Sequence, residues 1–294
     1  MNTDSAISRL RRDLALGTLL KALLFAAALA AVFVLPVAAP QVSSGAALLA
    51  IAIIWLILGY NSAKGARISA ETPTLIAVGQ LQEAEEQIEE ALRRFSLFRA
   101  VKLQAAHQLA MLRHAQRRYR EATAICREIL SHRTAAAAPM SRNVRLLMAD
   151  STLELDDVHG AYEAMSGLYG QKLSLPQVLD LLAAQLDYES RIGAWDRVMN
   201  QPMAKVQLAE LMPTLPAART QAMLALGARH IGRHDFAEWL LARIELLIDP
   251  TKLVAERPLL AQLWATPRTT PAIAITVAAE PAARESQSPP ETQP

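Results

Sequence analysis

Residues that usually carry chemistry are scarce in this sequence. A single cysteine in 294 residues excludes an intramolecular disulfide and suits a reducing compartment. Glycine-rich phosphate loops, GxSxG elbows and paired-cysteine motifs are missing, which removes the common signatures of nucleotide binding, serine hydrolysis and zinc coordination. Aromatics make up only 5% of the chain, and Val, Ile and Thr nowhere alternate with polar residues over a strand's length. The residues that remain, rich in Ala and Leu, favour helix throughout.

Charge is also missing from two long stretches. From Ala22 to Ala39 and again from Val42 to Tyr60 no charged residue occurs, and each run is close to the ~20 residues that cross a bilayer core. The link between them, Pro40 to Ser44, is too short for a domain. Arg9, Arg11, Arg12 and Lys21 precede the pair, and Lys64 and Arg67 follow it. This pattern predicts a transmembrane helical hairpin with both ends in the cytoplasm. Ala22, Ala26 and Ala30 form a small-residue stripe expected to let the two helices pack closely. A cleavable signal peptide is the main alternative, since Val37-Ala38-Ala39 resembles a cleavage site. Pro40 directly after that site, and a second apolar span, speak against it. Residues 1–67 carry six Lys/Arg against Asp4 and Asp13, a balance of +4, so the rest of the chain sums to −2. It has no basic excess of the kind that binds nucleic acid.

The most regular stretch lies further on, between Lys102 and Leu130. Tyr119, Ala122, Cys126 and Ile129 fall on one helical face, Leu103, Ala106, Leu109 and Ala110 mark a preceding helix, and Arg113 to Arg118 reads as the junction. A hairpin this short cannot bury its apolar face alone and needs neighbours. Candidates recur at a near-constant period: Ala84, Ala122, Ala161, Val198 and Ala237 are separated by 38, 39, 37 and 39 residues. Twelve positions before the last four of these stand Ala110, Ala149, Leu186 and Ala225. Gly193 and Gly232 each lie five before a marker, where a turn needs a permissive backbone.

This pattern resembles the tetratricopeptide repeat, a helix–turn–helix unit of about 34 residues. The resemblance runs from about Leu75 to Pro250 and is strongest at RRYREATAICREIL, where Ala110 and Ala122 match the two small packing positions and Tyr119 the aromatic near the turn. The period here is longer, and the bulky residue that opens the first helix is absent from most units. In the fourth unit Pro202 falls at a core position, and Pro213 and Pro216 are expected to interrupt the helix of the next unit. A generic antiparallel bundle is the alternative architecture.

The expected fold is therefore all-α: a basic segment (1–21), a transmembrane hairpin (22–60), a juxtamembrane linker (61–73), a helical repeat domain (74–265) and a disordered Pro-rich tail (266–294). A final helix from Thr251 to Trp264 is expected to cap the stack, and the tail holds six of the sixteen prolines. No catalytic group, metal or cofactor is expected. His107/His114 and His230/His234 share helix faces but lack the third ligand and the Glu of HExxH. Cys126 sits at a core position, and the cluster Glu83, Glu85, Glu86, Glu89, Glu90 reads as a solvated face.

In the tetratricopeptide family the first helices of successive units line a groove that binds peptides or helices. The resemblance places Gln104, His107, Met111 and His114 there, followed by Asn143, Leu146 and Asp150, then Asp187, then Arg219, Leu226 and Arg229. Together with the hairpin and its flanking basic residues, it implies a non-enzymatic adaptor in a bacterial inner membrane, with the repeat domain in the cytoplasm and a membrane-associated protein as partner. The alternative is a small structural subunit that enters a larger membrane complex through its hairpin. Self-association stays open.

Overall fold

The computed structural model describes residues 3–33, 44–68, 70–132 and 140–265, and every regular element among them is helical. The turn at 40–43, the candidate cleavage site and the tail 266–294 lie outside the described residues.

Helix α1 runs unbroken from Thr3 to Phe33 and α2 from Ser44 to Ile68. The boundary expected between residues 21 and 22 thus falls inside α1, and most of the expected linker 61–73 belongs to α2. Helix α1 serves two environments. Its first half buries Ala6, Leu10 and Leu14, spaced four apart on one face, in the same core as Ala84, Ile88, Ala106 and Cys126. Its second half, like α2, leaves large apolar side chains uncovered, among them Leu23, Phe25, Phe33, Leu49, Ile53 and Leu56. Both helices are long and apolar enough to cross a membrane, and only 17% and 6% of their most apolar windows are buried, unlike the core helix of a soluble protein. The seam between them does not use the predicted stripe. Leu24 and Ala31, in line with buried Gly17 at seven-residue spacing, are buried, whereas Ala22, Ala26 and Ala30 on the other side of α1 are exposed.

Helix–turn–helix pairs come next along the chain. The first helices are α3 (Thr72–Val78), α5 (Arg99–Ala115), α7 (Met140–Glu154), α9 (Leu175–Arg191) and α12 (Thr214–His230). Each is followed by a second helix: α4 (Leu81–Arg93), α6 (Tyr119–Ser131), α8 (Val158–Ser166), α10 (Trp195–Val198) and α13 (His234–Leu247). The small-residue markers Ala84, Ala122, Ala161, Val198 and Ala237 each stand fourth in a second helix and are fully buried. Their partners Ala110, Ala149, Leu186 and Ala225 are buried as well.

One turn geometry recurs. Gly79, Arg117, Asp156, Gly193 and Gly232, each five residues before a marker, have φ of 85, 59, 60, 69 and 78°. The next residue donates its N–H five positions back, as from Arg118 to Arg113 (2.8 Å) and from Arg233 to Ala228 (2.8 Å). This is the left-handed helix end that satisfies the last free carbonyls. Glycine fills three of the five positions; Arg117, inside the junction expected at Arg113 to Arg118, and Asp156 hold the same left-handed conformation with a side chain. Each first helix touches its own second helix and the next first helix, and the second helices α4, α6, α8 and α10 also touch the following first helix.

The fourth pair is bent, as Pro202 suggests. Its second helix stops at Val198 and resumes as α11 (Pro202–Ala209), with Pro202 in the first turn and Gln201 at φ 51°. Pro213 and Pro216 do not interrupt a helix. They open α12, where a missing N–H costs nothing. The expected terminal helix is divided at Pro258 into α14 (Pro250–Glu256), a 3-10 turn (Pro258–Ala261) and α15 (Gln262–Ala265). Leu253, Leu260 and Leu263 from these pieces are buried in one core with Leu224, Leu240 and Ile244.

Candidate functional site

Residues three and four apart on a helix share a face, so the first helices deliver their side chains to one side as rows. On α5 the row is His107, Met111, His114; on α7 it is Asn143, Leu146, Leu147, Asp150; on α9 it is Gln177, Asp180, Ala184. Together with Leu215, Pro216 and Arg219 of α12 and Glu256 of α14 they line an open groove of about 610 Å³. Seven residues assigned to the groove from the sequence meet here: His107, Met111, His114, Asn143, Leu146, Asp150 and Arg219.

Four others do not. Leu226 is buried in the core with Leu240 and Ile244. Gln104 is exposed outside the groove, one turn before His107. Asp187 is 1% exposed and lies inside an ion network. It accepts from Arg191 (3.1 Å), Arg219 (2.9 Å) and Arg257 (2.9 Å), while Arg191 reaches Asp156 at 2.8 Å and Arg257 also reaches Glu154. The sequence placed Asp187 correctly on α9 but one row too deep. Arg229 pairs with Glu238 (2.8 Å) and donates to the carbonyl of Gln262 (3.3 Å), so it holds the C-terminal segment. Asp180, Gln177 and Glu256 were missed. The first two lie seven and ten residues before Asp187 in sequence, on the same helix, and the α9 row extended backwards would have found them.

The polar groups of the groove have defined states. Nε2 of His114 lies 3.2 Å from Asp150 and Nδ1 lies 2.9 Å from Oγ of Ser151, with Tyr119 edge-on at 5.1 Å. Burial opposes charge on Asp150, but the hydrogen bond and charge of His114, with Arg219 and Arg257, hold it below the usual carboxylate range. Loss of water around its carboxyl and the charge of Asp150 push Asp180 up. His107 is 6% exposed, its Nδ1 has no partner among the described residues, and burial pushes its pKa down to about 4. Gln177 donates to Asn143 at 2.6 Å and accepts the Ser174 N–H at 3.0 Å, which fixes the start of α9 against α7.

Asp150, His114 and Ser151 are the residue types of a hydrolase triad, but Ser151 is fully buried and offers no approach to a substrate carbonyl. No group of three or more His, Cys, Asp or Glu among the described residues is placed to hold a metal. His230 stacks flat on Trp195 at 4.1 Å. Cys126 is fully buried, and burial pushes its thiol up to about 12. Glu85 leaves the acidic face assigned to it: Arg113, fully buried on α5, donates to it at 2.9 Å and holds its pKa down at about 2. What the groove offers is apolar surface (Met111, Leu146, Leu147, Leu215) bordered by Asp150, Asp180 and Glu256, while its one cation among the described residues, Arg219, is held by Asp187. No family model, no curated protein and no solved structure matches this chain.

Proposed function

We propose that this protein is a membrane-anchored, tetratricopeptide-like scaffold whose groove docks a segment of a membrane-associated partner protein. The carrying observation is that rows from α5, α7, α9 and α12 converge on a single concave surface, with acidic groups around an apolar floor. That surface favours a segment with apolar side chains next to a Lys or Arg. The reading places α1 and α2 across a bilayer and the helical units on its cytoplasmic side.

Ion pairs and hydrogen bonds join the anchor to the helical units. Asp13 pairs with Lys102 at 2.8 Å, Arg11 with Glu128 at 2.5 Å, Thr3 donates to Glu121, and Ser62 accepts the Leu97 N–H at 2.9 Å. A scaffold held this way keeps its groove near partners confined to the same membrane, which raises their effective concentration. The site acts by binding and not by catalysis in this reading.

The second reading makes the hairpin the contact with a larger membrane complex, and the exposure of Ala22, Ala26 and Ala30 favours it. Two sets of variants of the full-length protein, purified from membranes in mild detergent, separate the readings. Under the first, Asp180→Lys and Met111→Glu abolish co-purification of the partner, and Leu at the three alanines leaves it intact. The reverse outcome refutes the groove and supports the hairpin.

A further inference from the structure

The connector between α4 and α5 lies beside a second groove, between the two apolar helices. Gly17 of α1 lies against it: a methyl group there would sit 3.7 Å from the Ser96 carbonyl oxygen and 3.8 Å from that of Leu97. From the other side Ser62 of α2 accepts the Leu97 N–H at 2.9 Å, and Leu97 is 1% exposed. The backbone of residues 96 and 97 therefore lies between α1 and α2 at one level. Adjoining it, the two helices bound an open groove of about 890 Å³, lined by Leu24, Ala28, Ile51 and Leu56 among other apolar residues.

One charge lines this groove. Lys21 stands where it meets the connector, its ammonium 5.7 Å from the Phe98 ring centroid, and no carboxylate pairs with it among the described residues. Tyr60, at the same end of the groove, begins a row on α2 that continues through exposed Lys64 and Arg67, four and seven residues on. The apolar groove ends at the Lys21 ammonium and the Tyr60 phenol.

We propose that this groove binds one acidic phospholipid, with an acyl chain along Leu24, Ala28, Ile51 and Leu56 and its phosphate against Lys21. The inference rests on the reading of α1 and α2 as membrane-spanning. An ammonium at the edge of hydrocarbon is stabilised by an anion, and the described residues supply none; an acidic headgroup supplies it at the depth where the groove turns polar. A zwitterionic lipid fills the apolar part equally well but brings its own cation to Lys21, so headgroup charge is the discriminating property. An apolar partner helix would fill the apolar floor but would leave Lys21 without an anion.

The test uses the full-length protein in nanodiscs of phosphatidylglycerol and phosphatidylcholine in equal amounts, with the lipid retained after transfer to detergent identified by native mass spectrometry. The wild type is expected to retain one phosphatidylglycerol with a preference of about fivefold, the effect of one cation at an anionic surface. Lys21→Gln loses the preference, Ala28→Trp fills the groove and loses the bound lipid, and Lys64→Gln/Arg67→Gln keeps both. Equal retention of the two lipids by wild type, or a preference unchanged in Lys21→Gln, overturns the proposal. Protection of Cys126 from thiol reagents confirms that each variant is folded. Release of the wild type from membranes by alkaline carbonate would overturn the membrane reading itself, whereas firm retention without lipid preference overturns only the lipid site.

Discussion

The sharpest prediction concerns Asp13, a residue whose neighbours in sequence give no hint of its role. Its carboxylate lies 2.8 Å from Nζ of Lys102, whose side chain is 1% exposed against 12% for Asp13. The same ammonium donates to the Leu92 carbonyl at 2.7 Å, so one of its two anchors survives when Asp13 is removed. Asp13→Ala leaves a buried cation without its counter-charge, a change that costs about 3–5 kcal/mol. The chain carries its own reporter. Cys126 is the only cysteine, is fully buried, shares a core with Leu10 and Leu14, and has its thiol pushed up to about 12. It reacts only when that core opens, so its labelling rate measures the opening equilibrium. A loss of this size predicts labelling faster by about 10²- to 10⁴-fold for Asp13→Ala in detergent-purified full-length protein. Replacing both partners, as Asp13→Leu with Lys102→Met, is expected to recover most of the protection. An increase under about fivefold for Asp13→Ala, the range of an exposed ion pair, would refute the claim that α1 is built into the helical domain.

Three further outcomes rest on the same structure. His107 has its folded pKa pushed down to about 4, below the ~6.5 of an unfolded histidine, so the unfolded state binds the extra proton between these values. Stability is full above ~6.5 and falls by ~3 kcal/mol as pH drops to 4; His107→Gln is expected to flatten that slope in denaturation midpoints measured at pH 7 and pH 4.5. A methyl group at Gly227 would lie 2.7 Å from Cγ1 of Val198, the one marker that is not alanine. Gly227→Ala is therefore expected to cost ~1–3 kcal/mol and Val198→Ala to relieve it, which a double-mutant cycle on thermal unfolding measures directly. Asp187→Ala removes the shared acceptor of Arg191, Arg219 and Arg257, with an expected loss of ~3–5 kcal/mol and early proteolysis after Arg257. Cleavage no faster than in the wild type would show that Asp187 does not hold the C-terminal segment.

What the sequence by itself determined is what depends on neighbours along the chain. Helix follows from Ala and Leu, the two uncharged runs follow from length and composition, and the period of Ala84 to Ala237 fixes which face of each second helix is buried. The proline bend at Pro202 belongs to the same class, because a missing N–H acts within one turn. The junction within Arg113 to Arg118 is legible as well, but not which of its residues takes the left-handed φ, because Arg117 is no glycine to mark it. What only the tertiary structure decided is which of two equivalent faces meets a partner. Ala22, Ala26 and Ala30 are small and in register, yet the connector at Ser96 and Leu97 occupies Gly17 and sets the seam on Leu24 and Ala31 instead. Ala6, Leu10 and Leu14 sit in the basic segment 1–21, and their burial becomes visible only when α4, α5 and α6 supply the opposing surface. Charges behave the same way. Arg219 and Asp150 face the groove, but whether a carboxylate such as Asp187 points outward or is consumed by three arginines depends on groups up to seventy residues away in sequence, which periodicity along one helix does not encode.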